Sequence, residues 1–116
     1  RMPAPLREFQ EWGQAETDGV TMEVEEIEGY TKVEGEIPRE ALDADSEVYI
    51  RCVSPEDAAV FEAFPLNEDD QAPGTYGYGM YIAERQVDPG TYIMEVLFRK
   101  DGAWVTSGYL GSFTKK

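Results

Sequence analysis

Asp88-Pro89-Gly90-Thr91-Tyr92-Ile93-Met94-Glu95-Val96-Leu97-Phe98-Arg99-Lys100-Asp101-Gly102-Ala103-Trp104-Val105-Thr106-Ser107-Gly108-Tyr109-Leu110 decides the fold. Asp88 to Thr91 is a turn cluster, and Tyr92 to Arg99 is rich in β-branched, aromatic and long apolar residues. Lys100-Asp101-Gly102 then reverses the chain into Ala103 to Leu110, and an Asp-Gly step between two such runs is the strongest short-range hairpin signal. Strand periodicity places Tyr92, Met94, Val96 and Phe98 on one face.

Working back along the chain, the same period recurs. Val20, Met22 and Val24 alternate with Thr21, Glu23 and Glu25, giving a first strand. Val33, Gly35 and Ile37 alternate with Glu34 and Glu36 until Pro38 stops the ladder, giving a second. In a third, Glu47 to Val53, Val48, Ile50 and Cys52 face one way and Tyr49, Arg51 and Val53 the other. Ala59 to Leu66, interrupted by Pro65, reads as an edge strand. Tyr76, Tyr78, Met80 and Ile82 share one face of the next, with Gly77, Gly79, Tyr81 and Ala83 on the other. With the final hairpin this makes a seven-stranded antiparallel sandwich, an all-β fold with no convincing long helix. Residues 1–18, with Leu6, Phe9 and Trp12 near one helical turn apart, read as an N-terminal arm, a linker or a short helix, and 19–116 as the domain.

The spacing Asp88-x-Gly90-x-Tyr92 resembles the corner before strand F of immunoglobulin-like and fibronectin type III-like sandwiches. The resemblance implies that the Tyr92 hydroxyl bonds back to the upstream backbone. It places Met94 where disulfide-bonded members have their second cysteine, and Val33 and Gly35 near the place of the first. Both departures imply a cysteine-free bacterial-type or viral-type relative, and they argue against an antibody-like domain, since the tryptophan expected on the third strand is absent and Trp104 lies on the last strand instead.

Composition excludes more than it assigns. A length of 116 residues holds one domain with a core that needs neither disulfide nor metal. With 24 acidic against 10 basic residues the formal net charge is −14, which argues against nucleic acid and against insertion in or attachment to anionic membranes. No apolar run reaches spanning length. The one cysteine, Cys52, alternates in register with apolar neighbours and reads as a buried hydrophobe. The beginning at Arg1, without an apolar leader, suits a processed chain or an excised domain.

No histidine is present and none of the four serines sits in a nucleophile elbow, so an enzyme would have to rely on paired carboxylates such as Glu34 and Glu36. The expectation is a protein without catalytic residues or cofactor. Asp43-Ala44-Asp45-Ser46-Glu47 opens like a calcium loop but puts Val48 where the sharp-turn glycine belongs, and Asn67 to Asp70 is the better place for a loose calcium site. In both, a solvated turn is the plainer reading. Tyr76, Tyr78 and Tyr81 with Trp12 or Trp104 could stack on sugars, although aromatics alternating with glycines normally pack inward.

Two functional classes follow. The first is a non-enzymatic interaction or spacer module of a larger extracellular, cell-surface or virion-associated protein. The alternative is a carbohydrate-binding module. For the first, if Trp104 and Thr106 face the core, then Tyr49, Val53, Ile93, Leu97, Val105 and Tyr109 form one outward apolar patch. Such a patch calls for cover by the arm, by self-association or by a protein partner. The charge carries its own consequence: self-repulsion opposes compactness, so Tm should rise as NaCl is added from low to moderate concentration. A flat or falling Tm in thermal scans would contradict this, and a rise continuing into molar salt would mark adaptation to a saline medium.

Overall fold

The computed structural model describes residues 19–67 and 71–116, together with the backbone of 13–14. Strands β1 (Gly13–Gln14), β2 (Glu23–Ile27), β3 (Tyr30–Pro38), β4 (Tyr49–Val53), β5 (Ala58–Glu62), β6 (Phe64–Pro65), β7 (Thr75–Ala83), β8 (Gly90–Lys100) and β9 (Ala103–Lys115) form two sheets, ordered β1-β9-β8-β4-β5 and β2-β3-β7-β6. Leaving aside β1, which pairs parallel to β9 over two residues, each sheet is four-stranded and antiparallel. The architecture is an all-β sandwich. The arm at 1–18 and the suggested calcium site at Asn67 to Asp70 lie largely outside the described residues.

The expected count of seven strands needs correction in one place besides β1. The run Ala59 to Leu66 is not a single edge strand: β5 pairs with β4, and β6 pairs with β7 in the opposite sheet. The chain changes sheets at Ala63, which is buried and donates its backbone N–H to the Val48 carbonyl at 2.8 Å. Pro65 lacks a donor and is tolerated because β6 lies at a sheet edge.

The inward sets are those the period gives. Val48 just before β4, Ile50 and Cys52 of β4, Tyr78, Met80 and Ile82 of β7, and Tyr92, Met94, Val96 and Phe98 of β8 belong to one core between the sheets, joined by Val33 and Ile37 of β3. The Asp101-Gly102 reversal has φ of 54° and 81°, the paired positive values of a tight two-residue hairpin. Both of its amides donate to the Asp43 carboxylate, at 2.8 and 2.9 Å, and these bonds hold that carboxyl below its ordinary range. Asp43, considered above as a metal ligand, therefore serves as a cap on the hairpin.

At the turn into β8, Tyr92 is fully buried and its hydroxyl donates to the Asp88 carbonyl at 2.8 Å, while its ring stacks on Phe113 at 5.1 Å between centroids. Substituting Tyr92→Phe removes that donor and leaves the carbonyl without its partner. The expected loss is about 1 kcal/mol, read as a lower urea midpoint with an unchanged slope, and an unchanged midpoint would contradict the assignment.

Candidate functional site

On β7 the alternation that sends Tyr78, Met80 and Ile82 inward leaves Gly77, Gly79, Tyr81 and Ala83 on the outer face of the β2-β3-β7-β6 sheet. Two glycines in a row of outward positions leave bare backbone there, and side chains from β6 and the following loop occupy it. A methyl group on Gly79 would lie 2.8 Å from the Phe64 ring, and one on Gly77 would lie 2.8 Å from Gln71 and 3.1 Å from Leu66. Gln71 fixes that loop by donating to the Leu66 carbonyl at 2.6 Å and accepting the Gly77 amide at 2.9 Å.

Phe64 thereby comes beside Tyr81, with ring centroids 5.9 Å apart and planes 21° from parallel. Tyr30, at the start of β3, meets the other side of Tyr81 edge to face at 5.5 Å. The three rings form a row in which Tyr30 is 40%, Phe64 43% and Tyr81 51% exposed. Large aromatics normally cover most of their area against other protein. Here half of each is offered to solvent, in contact with its neighbours. A shallow hollow of about 290 Å³ lies against the row, lined by Tyr30, Tyr81, Ala83 and Gln86.

Of the aromatics considered from sequence for sugar stacking, only Tyr81, among the described residues, stands on this surface. Tyr78 is fully buried and donates its hydroxyl to the Thr21 carbonyl at 2.6 Å, which raises no exposed ring. Tyr76 packs partly against the core with the Arg39 guanidinium 5.3 Å from its ring centre. Trp104 is on the other sheet, and Trp12 lies outside the described residues. Tyr30 and Phe64 were missed because their approach to Tyr81 depends on pairing across β3, β7 and β6. The local signal was the phase of Tyr81, which shares its face with the glycines.

The expected outward patch on the other sheet is arranged differently. Trp104 and Thr106 do not face the core: they pair with Arg99 and Leu97 and stand on the outer face, whereas Val105 pairs with Phe98 and packs against the inner core. Val105 therefore does not belong to the patch. A register shift between Thr106 and Tyr109 then changes the phase of β9, so that Tyr109 pairs with Glu95 and faces outward, and a second shift follows between Tyr109 and Gly111. Tyr49 and Leu97 are buried in a second apolar cluster with Val60 and Trp104. Beside them Arg51 and Glu95 form a buried ion pair, and the Thr106 hydroxyl donates to the same carboxylate. Burial lowers the Arg51 guanidinium from its ordinary value, opposed by its bond to and attraction by Glu95. Of the six residues, Ile93 and Tyr109 are exposed and Val53 is half-buried.

No protein-family model matches the chain, and no curated protein matches it by sequence. Its fold is similar to the solution structure of the carbohydrate binding module of the muscle glycogen-targeting subunit of Protein Phosphatase-1, with a TM-score of 0.59 at 12% identity, covering 100% of this chain and 88% of that chain. At that identity the likeness concerns the sandwich itself.

The remaining reactive groups have structural roles. Glu34 pairs with Lys32 at 3.5 Å, and Glu36 accepts the Ala72 amide at 3.3 Å. Among the described residues no three metal-binding side chains converge. Cys52 is fully buried, and desolvation pushes its thiol up to about 12. Native protein at mildly alkaline pH should therefore resist iodoacetamide and react only on unfolding. Rapid alkylation of the native chain, seen by mass spectrometry, would contradict this placement.

Proposed function

We propose that this chain is a carbohydrate-binding module built on an immunoglobulin-like sandwich, and that it holds a saccharide against Tyr30, Tyr81 and Phe64. The observation that carries the reading is the row of three half-exposed rings in mutual contact on one sheet face. A pyranose presents a face of C–H groups to a ring and a rim of hydroxyls to polar neighbours. A row of rings about one sugar length apart suits a chain of such units better than a compact ligand. Lys32, Glu25 and Glu34 on the same face, with Gln86 lining the hollow, offer donors and acceptors for the rim. The site is open and shallow, which fits binding along a polymer more than enclosure and chemistry. The neighbour in fold is itself called a carbohydrate binding module, which agrees with the reading.

Tyr81 is the middle ring, and truncating a central aromatic anchor of an interface costs about 1–2 kcal/mol, roughly a fivefold to thirtyfold loss of affinity. Screening the intact chain on a glycan panel and then titrating Tyr81→Ala against the oligosaccharides it retains should show that loss with an unchanged Tm. If no glycan binds saturably, or if Tyr81→Ala binds as the parent does, the platform is not a sugar site and the spacer reading takes its place.

A further inference from the structure

The platform is bordered on one side by charge of a single predominant sign. Register places Glu25 opposite Lys32 and Lys32 opposite Tyr81, and places Glu23 opposite Glu34 and Glu34 opposite Gly79, on which Phe64 rests. All of these side chains share the outer face with the rings. Glu23, Glu25, Lys32 and Glu34, with Val24, line a groove of about 160 Å³ next to the row. Three carboxylates thus stand against one ammonium, and that ammonium is already paired with Glu34. The field there is negative enough to hold Lys32 above its ordinary value, through Glu34 first and with smaller contributions from Tyr81 and Glu25. The faces of Tyr81 and Phe64 are themselves attractive to cations.

We propose, building on the carbohydrate reading above, that this acid-bordered platform selects saccharides bearing free amines, polymers of 2-amino-2-deoxy sugars, over neutral and acidic ones. The stacking rings take the C–H face of any pyranose, which gives affinity without choice. The border supplies the choice: a protonated amine on the sugar meets carboxylates within the groove, its N-acetylated counterpart brings no charge, and a uronate or sulfated chain is repelled. The chain-wide charge of −14 acts in the same direction at longer range. Lys32 lies inside the groove and limits the preference, so its removal should sharpen it.

The test titrates the intact chain by calorimetry with an oligomer of glucosamine, its fully N-acetylated counterpart, a neutral glucan oligomer and an oligogalacturonate. The buffer is mildly acidic, so that the sugar amine is protonated. The free-amine oligomer should bind roughly tenfold tighter than its acetylated form, as expected for a cation gaining a few partly exposed pairs, and the preference should shrink with added salt. The triple variant Glu23→Gln, Glu25→Gln, Glu34→Gln should abolish it. A triple variant at exposed acids outside the groove and platform, Asp45→Asn, Glu40→Gln, Glu56→Gln, should keep it, although it changes the net charge equally. Lys32→Gln should enlarge it, and serves as a second reading if the triple variant is unstable. Equal, Tyr81-dependent binding of the amine, acetylated and neutral oligomers would overturn the selection and leave the carbohydrate reading standing. Loss of the preference in the variant outside the groove would also overturn it, as attraction of a polycation to an acidic protein. Failure of every oligomer to bind would overturn both proposals.

Discussion

The strict alternation of β7 sets up both the core and the open surface. A strand cannot point successive side chains the same way, so tyrosines at 76 and 78 oblige glycines at 77 and 79 to look outward. Each face then requires a close approach. Inside, the Tyr78 hydroxyl reaches the Thr21 carbonyl across Gly35, where a methyl group would stand 2.0 Å from that oxygen and 2.4 Å from the hydroxyl. Outside, Phe64 settles on Gly79 and comes within stacking range of Tyr81. One run of nine residues therefore fixes how the edge strand β2 is tied to the core and why three rings meet on the surface.

The two outer faces of the sandwich differ in kind. On the β9-β8-β4-β5 side the centre is closed: Arg51, Glu95, Tyr49 and Leu97 are all buried. A buried ion pair gains little net stability, because desolvating both charges offsets much of their attraction, yet removing either partner alone is strongly destabilising. Its effect here is positional. Glu95 binds Arg51 of β4 and Thr106 of β9, so three adjacent strands are held in one register. The irregular part of β9 lies just beyond. Thr106 also accepts the Gly108 amide at 3.0 Å, the Ser107 hydroxyl accepts the Val96 amide at 3.0 Å, and Gly108 takes a φ of 78° that a side chain would resist. These local bonds replace the ladder bonds that the bulges interrupt. Among the described residues no such closure covers the rings of the other sheet.

What the sequence revealed follows the range of the interactions involved. The hairpin at Asp101-Gly102, the Tyr92 bond to Asp88 and the inward sets of β4, β7 and β8 depend on local geometry and a period of two, and all were legible. The errors arise where that period is broken or where distant strands meet. A register shift in β9 changes the phase between Val105 and Tyr109, so a single alternation could not assign both to the same face. Ala63 turns the chain from one sheet to the other within a run that reads as continuous. The platform joins residues 30, 64 and 81, and only the pairing of β3 and β6 with opposite edges of β7 brings them together. Tyr81 was considered for sugar contact, but with Tyr78, whose opposite phase sends it into the core.

An open aromatic face is also a hazard, since exposed apolar area invites self-association. The sheet that carries it has features that oppose edge-to-edge growth. At one edge β6 is two residues long and ends in Pro65, which offers no amide to an incoming strand. At the other edge β2 carries Glu23, Glu25 and Glu26, so a second copy would bring like charges together. Part of the acidity that made the composition unusual is thus placed where it opposes pairing of two copies along this edge. Two of those carboxylates, Glu23 and Glu25, also border the groove beside Tyr81, so opposition to edge pairing and the proposed attraction for a cationic ligand draw on one distribution of charge.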